Sequence, residues 1–206
     1  LYKKGDTEYT ALYESKMCWH YDHRLAHCHQ GARRIQNKQA SQYISVEDKQ
    51  KPDCCAEPRF WVPAGEVARR LREYAGRTWL LGFRDIARST DHRTCIACFI
   101  PCVGVSNKLP LIMSPLPLRE QCALLANLGS FILDATARTK VVSTSINFFI
   151  LQQFPVLPPA AYAQPWHGVD LTQWIGERVL KLVYTANDMQ GFARDIGYDG
   201  PPFVWD

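Results

Sequence analysis

Apolar residues recur at helical spacing over two long stretches, both in the second half of the chain, and this asymmetry limits the fold more than any other feature. Leu118, Cys122, Leu125, Leu128 and Ile132 follow at intervals of four, three, three and four, which predicts one long helix. Leu171, Trp174, Ile175, Val179 and Leu182 repeat the pattern behind Asp170, whose side chain can cap a helix N-terminus. A shorter helix is expected from Pro63 through Val67, Leu71 and Tyr74 to about Gly76. RTCIACFIPCVGV, behind the turn-forming STDHR, reads as a strand. TKVVSTSINFFILQQFPVLPP is expected to form short strands around a Ser/Thr turn, and the terminal GYDGPPFVWD to be extended. Residues 1–60 keep neither period and are expected to be irregular, with a polar insert from about residue 30 to 55. The class is α+β: a small mixed sheet with packed helices over 1–158, then a linker and C-terminal helical extension over 159–206.

With 206 residues, 47% of them hydrophobic and 21% charged, the chain can bury its own core, which excludes a disordered or collagen-like protein. No apolar run reaches the ~18 residues of a membrane span and no secretory h-region opens the sequence. No membrane partner is therefore expected, and the cytoplasm is the expected location. The eight cysteines are expected to be reduced and structural. Cys54 and Cys55 are adjacent, and Cys95, Cys98 and Cys102 sit in an apolar stretch where thiols act as small hydrophobes. A net charge of +4 permits an anionic partner without demanding one.

Four constellations bear on chemistry. Cys18, His20, His23, His27, Cys28 and His29 are zinc-ligand types, but their spacing fits no familiar template, and an aromatic, hydrogen-bonding segment is the plainer reading. Asp6, Glu14 and Lys16 spell the D…ExK pattern of metal-dependent nucleases, three common residues in a short window. Seven arginines lie between Arg69 and Arg93 against Glu73, Asp85 and Asp91. Arg69, Arg70 and Arg72 suit a solvated helix face. Arg84, Arg88 and Arg93, in a connection between apolar segments, suit salt bridges or the planar pairing of guanidinium with phosphate or guanine. Finally, Arg138, Lys140, Ser143, Thr144 and Asn147 gather cations and hydroxyls near one turn, where they could grip a phosphodiester backbone or simply make the turn. Neither a nucleophile elbow nor a glycine-rich phosphate loop is present.

Four blocks, YESKMCWHYDHR, RTWLLGFRDIARSTDHRTCIACFIP, LANLGSFILDATARTKVVSTSINFFILQQFPVLPP and VYTANDMQGFARDIGYDGPPFVWD, resemble one family in order and spacing over most of the chain. It is the C-terminal target recognition region of large adenine-specific DNA methyltransferases, found in type IIG restriction–modification enzymes and related phage-defence systems. The helix, the R-T-K turn and FFILQQFPVLPP are also similar to the recognition domains of type I specificity subunits. YESKM resembles the family's Tyr-Glu-Gly-Lys-Met run, which belongs to recognition and not to cleavage. Val142-Ser143 departs from the family's usual Gly-Gly, which removes the freedom for close backbone approach.

The resemblance implies double-stranded DNA as partner, together with the catalytic methyltransferase domain of a parent enzyme. That domain would hold S-adenosylmethionine, and magnesium where the parent also cleaves. This chain has neither the Asn-Pro-Pro-aromatic tetrapeptide nor a cofactor loop, so no catalysis and no cofactor of its own are expected. The expected DNA contacts form two groups, Arg84, Arg88, Arg93 and Lys108 in one, Arg138, Lys140, Ser143, Thr144 and Asn147 in the other. The alternatives are a nuclease on Asp6, Glu14 and Lys16, and a docking domain that binds no DNA.

Overall fold

The computed structural model describes residues 2–28, 34–35, 38–39 and 41–206. The α+β class holds, with short sheets and packed helices.

Residues 1–60 are less irregular than the sequence suggests. β1 (Tyr2–Lys4) and β2 (Thr7–Tyr13) form an antiparallel hairpin, with β2 also pairing antiparallel to β7 (Phe60–Pro63) and parallel to β10 (Gly104–Val105). The signal was hidden because this sheet keeps aromatic side chains on its open side. Tyr2, Tyr9 and Trp61 cluster there with ring centroids about 6 Å apart, so TEYTALY shows no clean alternation. Between β2 and β7 lie the two-residue pairs β3 (Ala26–His27) with β6 (Gln42–Tyr43) and β4 (Arg34–Ile35) with β5 (Lys38–Gln39), then the short α1 (Val46–Lys49).

The centre of the molecule is the antiparallel pair β8 (Trp79–Phe83) and β9 (Ala97–Pro101), in which every residue is buried. Alternate side chains serve two cores. Trp79, Leu81, Phe83 and Phe99 face the helices, and Leu80, Cys98 and Ile100 face Tyr13, Met17 and Cys18. A strand buried on both faces reads as a continuous apolar run, and that is the pattern of FIP in the predicted strand.

The helix expected from Pro63 is α2 (Ala64–Arg70), followed by a 3₁₀ turn over Arg72–Tyr74 and by Gly76 at φ +89°. The long helix predicted over 118–132 is instead two. α3 (Leu118–Leu128) ends at Gly129, and Ser130 accepts from the Leu133 N–H to cap α4 (Phe131–Lys140). At this corner a Cβ on Gly129 would stand 2.8 Å from the Tyr21 hydroxyl, so any larger residue would have to push that side chain aside. The restart turns Ile132 out of the apolar stripe and leaves it 83% exposed. A second correction concerns 139–158. The chain turns after α4, and Asn147 caps the single-turn α5 (Phe148–Leu151), where short strands were expected. An apolar tetrad such as FFIL fits either period, and the side-chain cap decides.

α6 (Leu171–Val183) starts at Asp170, whose carboxylate accepts from the Gln173 N–H, as the sequence indicates. α6 and α7 (Gln190–Ile196) share one core with the central strands: Val179, Val183 and Phe192 pack with Trp79, Phe99 and Leu125. The helical extension is thus built into the fold and not hung from it. Arg24, fully buried, fastens the two ends of the chain together, donating to the carbonyl oxygens of Lys49, Cys54 and Thr185 at 2.8–3.0 Å. Among the described residues, no helix is long and apolar enough to cross a membrane.

Candidate nucleic-acid interface

Two segments far apart in sequence are stitched into one surface. The connection from β8 to β9, residues 84–96, carries Arg84, Arg88 and Arg93, and the turn after α4 carries Ser143, Thr144 and Asn147. The Ala87 N–H donates to the Thr144 carbonyl at 3.2 Å, the Ile146 N–H donates to the Asp85 carbonyl at 2.6 Å, and Ile86 bridges Ser145. Lys108 joins the same edge, its ammonium 2.6 Å from Asp85 Oδ2 and its carbonyl accepting from the Asp85 N–H. The two contact groups expected from sequence are therefore neighbours.

Within this surface the cations divide by what already holds them. The Arg138 guanidinium donates to the carbonyls of Ser89, Asp91 and His92 at 2.5, 2.7 and 2.8 Å and pairs with Asp134 at 3.1 Å, so its fork is consumed in holding the connection. Arg93 is similarly engaged, donating to the Gly129 carbonyl at 2.5 Å, pairing with Asp134 at 3.4 Å and lying over the Phe131 ring. Asp134 accepts from the Thr94 and Cys95 N–H groups as well. Burial raises its carboxyl, but these bonds and the two guanidiniums outweigh it and hold the carboxyl below its usual range. Asn147 is the α5 cap, and the Ser143 hydroxyl donates to the Ser145 carbonyl. Arg88, Lys140 and Thr144 present exposed side chains.

Two residues the sequence analysis assigned elsewhere or left aside belong to the same neighbourhood. Trp19 and Asp22 pair backbone to backbone around a two-residue turn, His20-Tyr21, with Tyr21 at φ +58°. A non-glycine residue in that region costs roughly 1 kcal/mol or more, so packing must hold it. The Arg84 guanidinium lies over the Trp19 ring at 5.4 Å. His20 stands beside that indole, rings edge to face at 6.1 Å, and neither of its nitrogens has a partner. Burial, with Arg93 and Arg84 nearby, lowers the His20 pKa to about 4. The visible signal was the histidine-rich run itself, read there for zinc chemistry.

The other candidates are scattered. Asp6 lies in the β1–β2 turn and Glu14 beyond the far end of β2, eight residues of extended chain or roughly 25 Å away, so the two carboxylates cannot share an ion. Glu14 instead receives Arg59 at 2.8 and 2.9 Å, with Lys16 at 3.6 Å. His23 pairs with Asp188 at 2.9 Å, His27 Nδ1 accepts from the Glu57 N–H, and Cys18 and Cys28 are buried; His29 lies outside the described residues. Among the described residues no group of three or more such side chains could hold a metal ion. All eight cysteines are free, and burial pushes the thiols of Cys95 and Cys122 up to about 12. A cavity of about 390 Å³ between α2 and β10 is aliphatic, lined by Leu12, Val62, Val67 and Leu71, and its charged pair Glu66–Arg70 is closed on itself at 2.8 Å. That lining does not fit S-adenosylmethionine, which needs acceptors for its ribose and a wall for its adenine.

No family model matches the chain, and neither a curated protein nor a solved structure is detectably similar to it.

Proposed function

We propose that this chain is a sequence-specific double-stranded DNA recognition module of an adenine-specific DNA methyltransferase or restriction–modification enzyme, with catalysis, S-adenosylmethionine and any magnesium belonging to another part of the parent. The observation that carries this reading is the joining of the 84–96 connection to the 141–147 turn. It sets Arg88 and Lys140, with the Thr144 hydroxyl, on one surface backed by the Arg138–Asp134 brace. Phosphate contacts of this kind orient a module on the duplex, while base-edge contacts select sequence. The four-block resemblance supplies the class of parent.

The test is fluorescence anisotropy of the chain with a random-sequence duplex pool at several salt concentrations. The expected result is a linear fall of log affinity with log salt, at about −0.9 per phosphate contact. Sequencing the retained duplexes then gives the target. A second reading, a docking domain for the rest of the parent, draws on the bare apolar side chains beside this surface: Phe131, Ile132 and Val142 are each more than 80% exposed. Absence of binding at low salt would favour it.

A further inference from the structure

Arg84 differs from the other half-buried cations of this surface. Arg93 and Arg138 have Asp134, and Lys108 has Asp85, whereas Arg84 has no anion in contact. The carboxylate that acts on it across space is Asp91, whose Oδ2 is taken by the Arg88 N–H at 3.0 Å. Its Nε is buried and unpartnered. So are both ring nitrogens of His20, and so is Arg93 Nε, which lies 3.4 Å from Asp134 without alignment for a hydrogen bond. Three of the eight unpartnered buried side-chain atoms among the described residues thus belong to residues beside one indole, and a fourth, on Arg93, to a neighbour of His20.

A buried donor left unmade costs about 1–3 kcal/mol, and native proteins carry only a few per hundred residues. Arg84 Nε, Arg93 Nε and the one N–H of the neutral His20 ring are three such donors, and the second His20 nitrogen becomes a fourth on protonation; one acceptor could meet them. The donors come from three places: the 19–22 turn, the end of β8 and the approach to β9. A planar carboxylate meets one fork from one direction, but a tetrahedral oxyanion accepts from several. Charge agrees: Arg93 and Arg138 share the carboxylate of Asp134, Lys108 takes Asp85, and Arg84 is left without a contacting anion. The Trp19 ring holds one face of the guanidinium and leaves its N–H edge free.

We infer that Arg84 and His20, beside Trp19, together with Arg93 next to His20, form a binding subsite for one phosphoryl oxyanion. Its source is either free phosphate or a backbone phosphate of the duplex. In the second case the inference rests on the function proposed above and adds a contact that holds the DNA beside Arg88.

The experiment follows the His20 ring by long-range ¹H–¹⁵N NMR at pH 6 and constant ionic strength, titrating the chain first with inorganic phosphate and then with a duplex oligonucleotide. A saturable shift is expected with one or both, with the His20 pKa rising by a unit or more from its free value. Arg84→Gln should weaken the phosphoryl titration at least tenfold, and Arg84→Lys, which keeps the charge and loses the fork, by several-fold. Arg178→Ala removes an exposed guanidinium stacked on Trp174 in the same manner and should change nothing. A shift with phosphate but no duplex binding keeps the subsite and removes the DNA reading. Duplex binding by anisotropy that leaves His20 unmoved and is indifferent to Arg84→Lys removes the subsite and keeps the DNA reading. A non-saturating drift with both titrants, as from exchange with water alone, also overturns it.

Discussion

Arg138 and Asp134 stand one helical turn apart on α4 and hold the second half of the connection that carries Arg84, Arg88 and Arg93. The arginine takes the carbonyls of Ser89, Asp91 and His92, and the aspartate takes the N–H groups of Thr94 and Cys95. Donors and acceptors are thus matched along seven residues that would otherwise be loop.

Removing Arg138 should therefore loosen a surface and not merely delete a charge. Arg138→Ala is expected to cost about 1–3 kcal/mol in urea unfolding, the range for charge-assisted bonds to backbone, and to speed amide exchange over 88–95. Arg138→Lys should recover less than half, because one ammonium cannot reach three carbonyls. Unchanged exchange over 88–95 in the alanine variant would refute the brace.

Arg88 and Lys140 are exposed. If each touches one phosphate, Arg88→Ala and Lys140→Ala should each flatten the salt slope by about 0.9 and weaken all sequences alike. A variant that instead relaxes one base position in the selected pool would be a base reader, and the assignment of that residue to the backbone would fail.

Acid should act in two stages. The His20 pKa is depressed in the folded protein, from 6.5 to about 4. Between those values the unfolded chain binds a proton that the folded chain refuses, so stability falls as pH drops from 6.5 to 4. With the ring's partial exposure discounted, the loss is about 2–3 kcal/mol. Asp134 acts in the same direction over a lower window: its contribution is full above the ordinary carboxylate range and is lost as pH falls through its lowered folded value. His20→Gln should erase the upper limb of a stability–pH curve and spare the lower one. A curve that keeps its upper limb in that variant assigns it to another group.

Gly191 lies where α7 crosses the start of β8, and a Cβ there would come within 1.8 Å of Thr78 Oγ1 and 2.7 Å of Thr78 Cβ. The second contact is with a stiff, branched carbon, so rotation of the hydroxyl does not relieve it. Gly191→Ala should lower stability by about 1–3 kcal/mol, the usual cost of overpacking. Thermal unfolding checks this, and a wild-type midpoint would mean that α7 shifts freely.

The sequence revealed elements whose signals are local. Asp170 announces α6 because a cap and an apolar stripe lie within thirteen residues of each other. The break at Gly129 is not legible because the stripe from Leu118 runs on numerically to Ile132, while the restart is set by the Ser130 cap. β2 was missed because its periodicity is blurred by an aromatic open face. At the site, the basic and hydroxyl segments were legible as composition, but their union depends on the Ala87–Thr144 contact, which no spacing encodes. His20 was visible only as one of several histidines. What sets it apart is the indole beside it and the absence of a partner for either nitrogen.

The buried Arg24 also sets a timetable. Its fork closes on Lys49 and Cys54, and then on Thr185, 161 residues after Arg24 itself. A guanidinium stays charged at any physiological pH, so until Thr185 arrives it cannot be sealed away from water without losing an acceptor. On a ribosome adding about 5–20 residues per second, Thr185 follows Arg24 by roughly 8–32 s, and over that interval the guanidinium lacks this acceptor. Until then the guanidinium is left facing water, and the arrival of the Thr185 segment is what lets it be sealed.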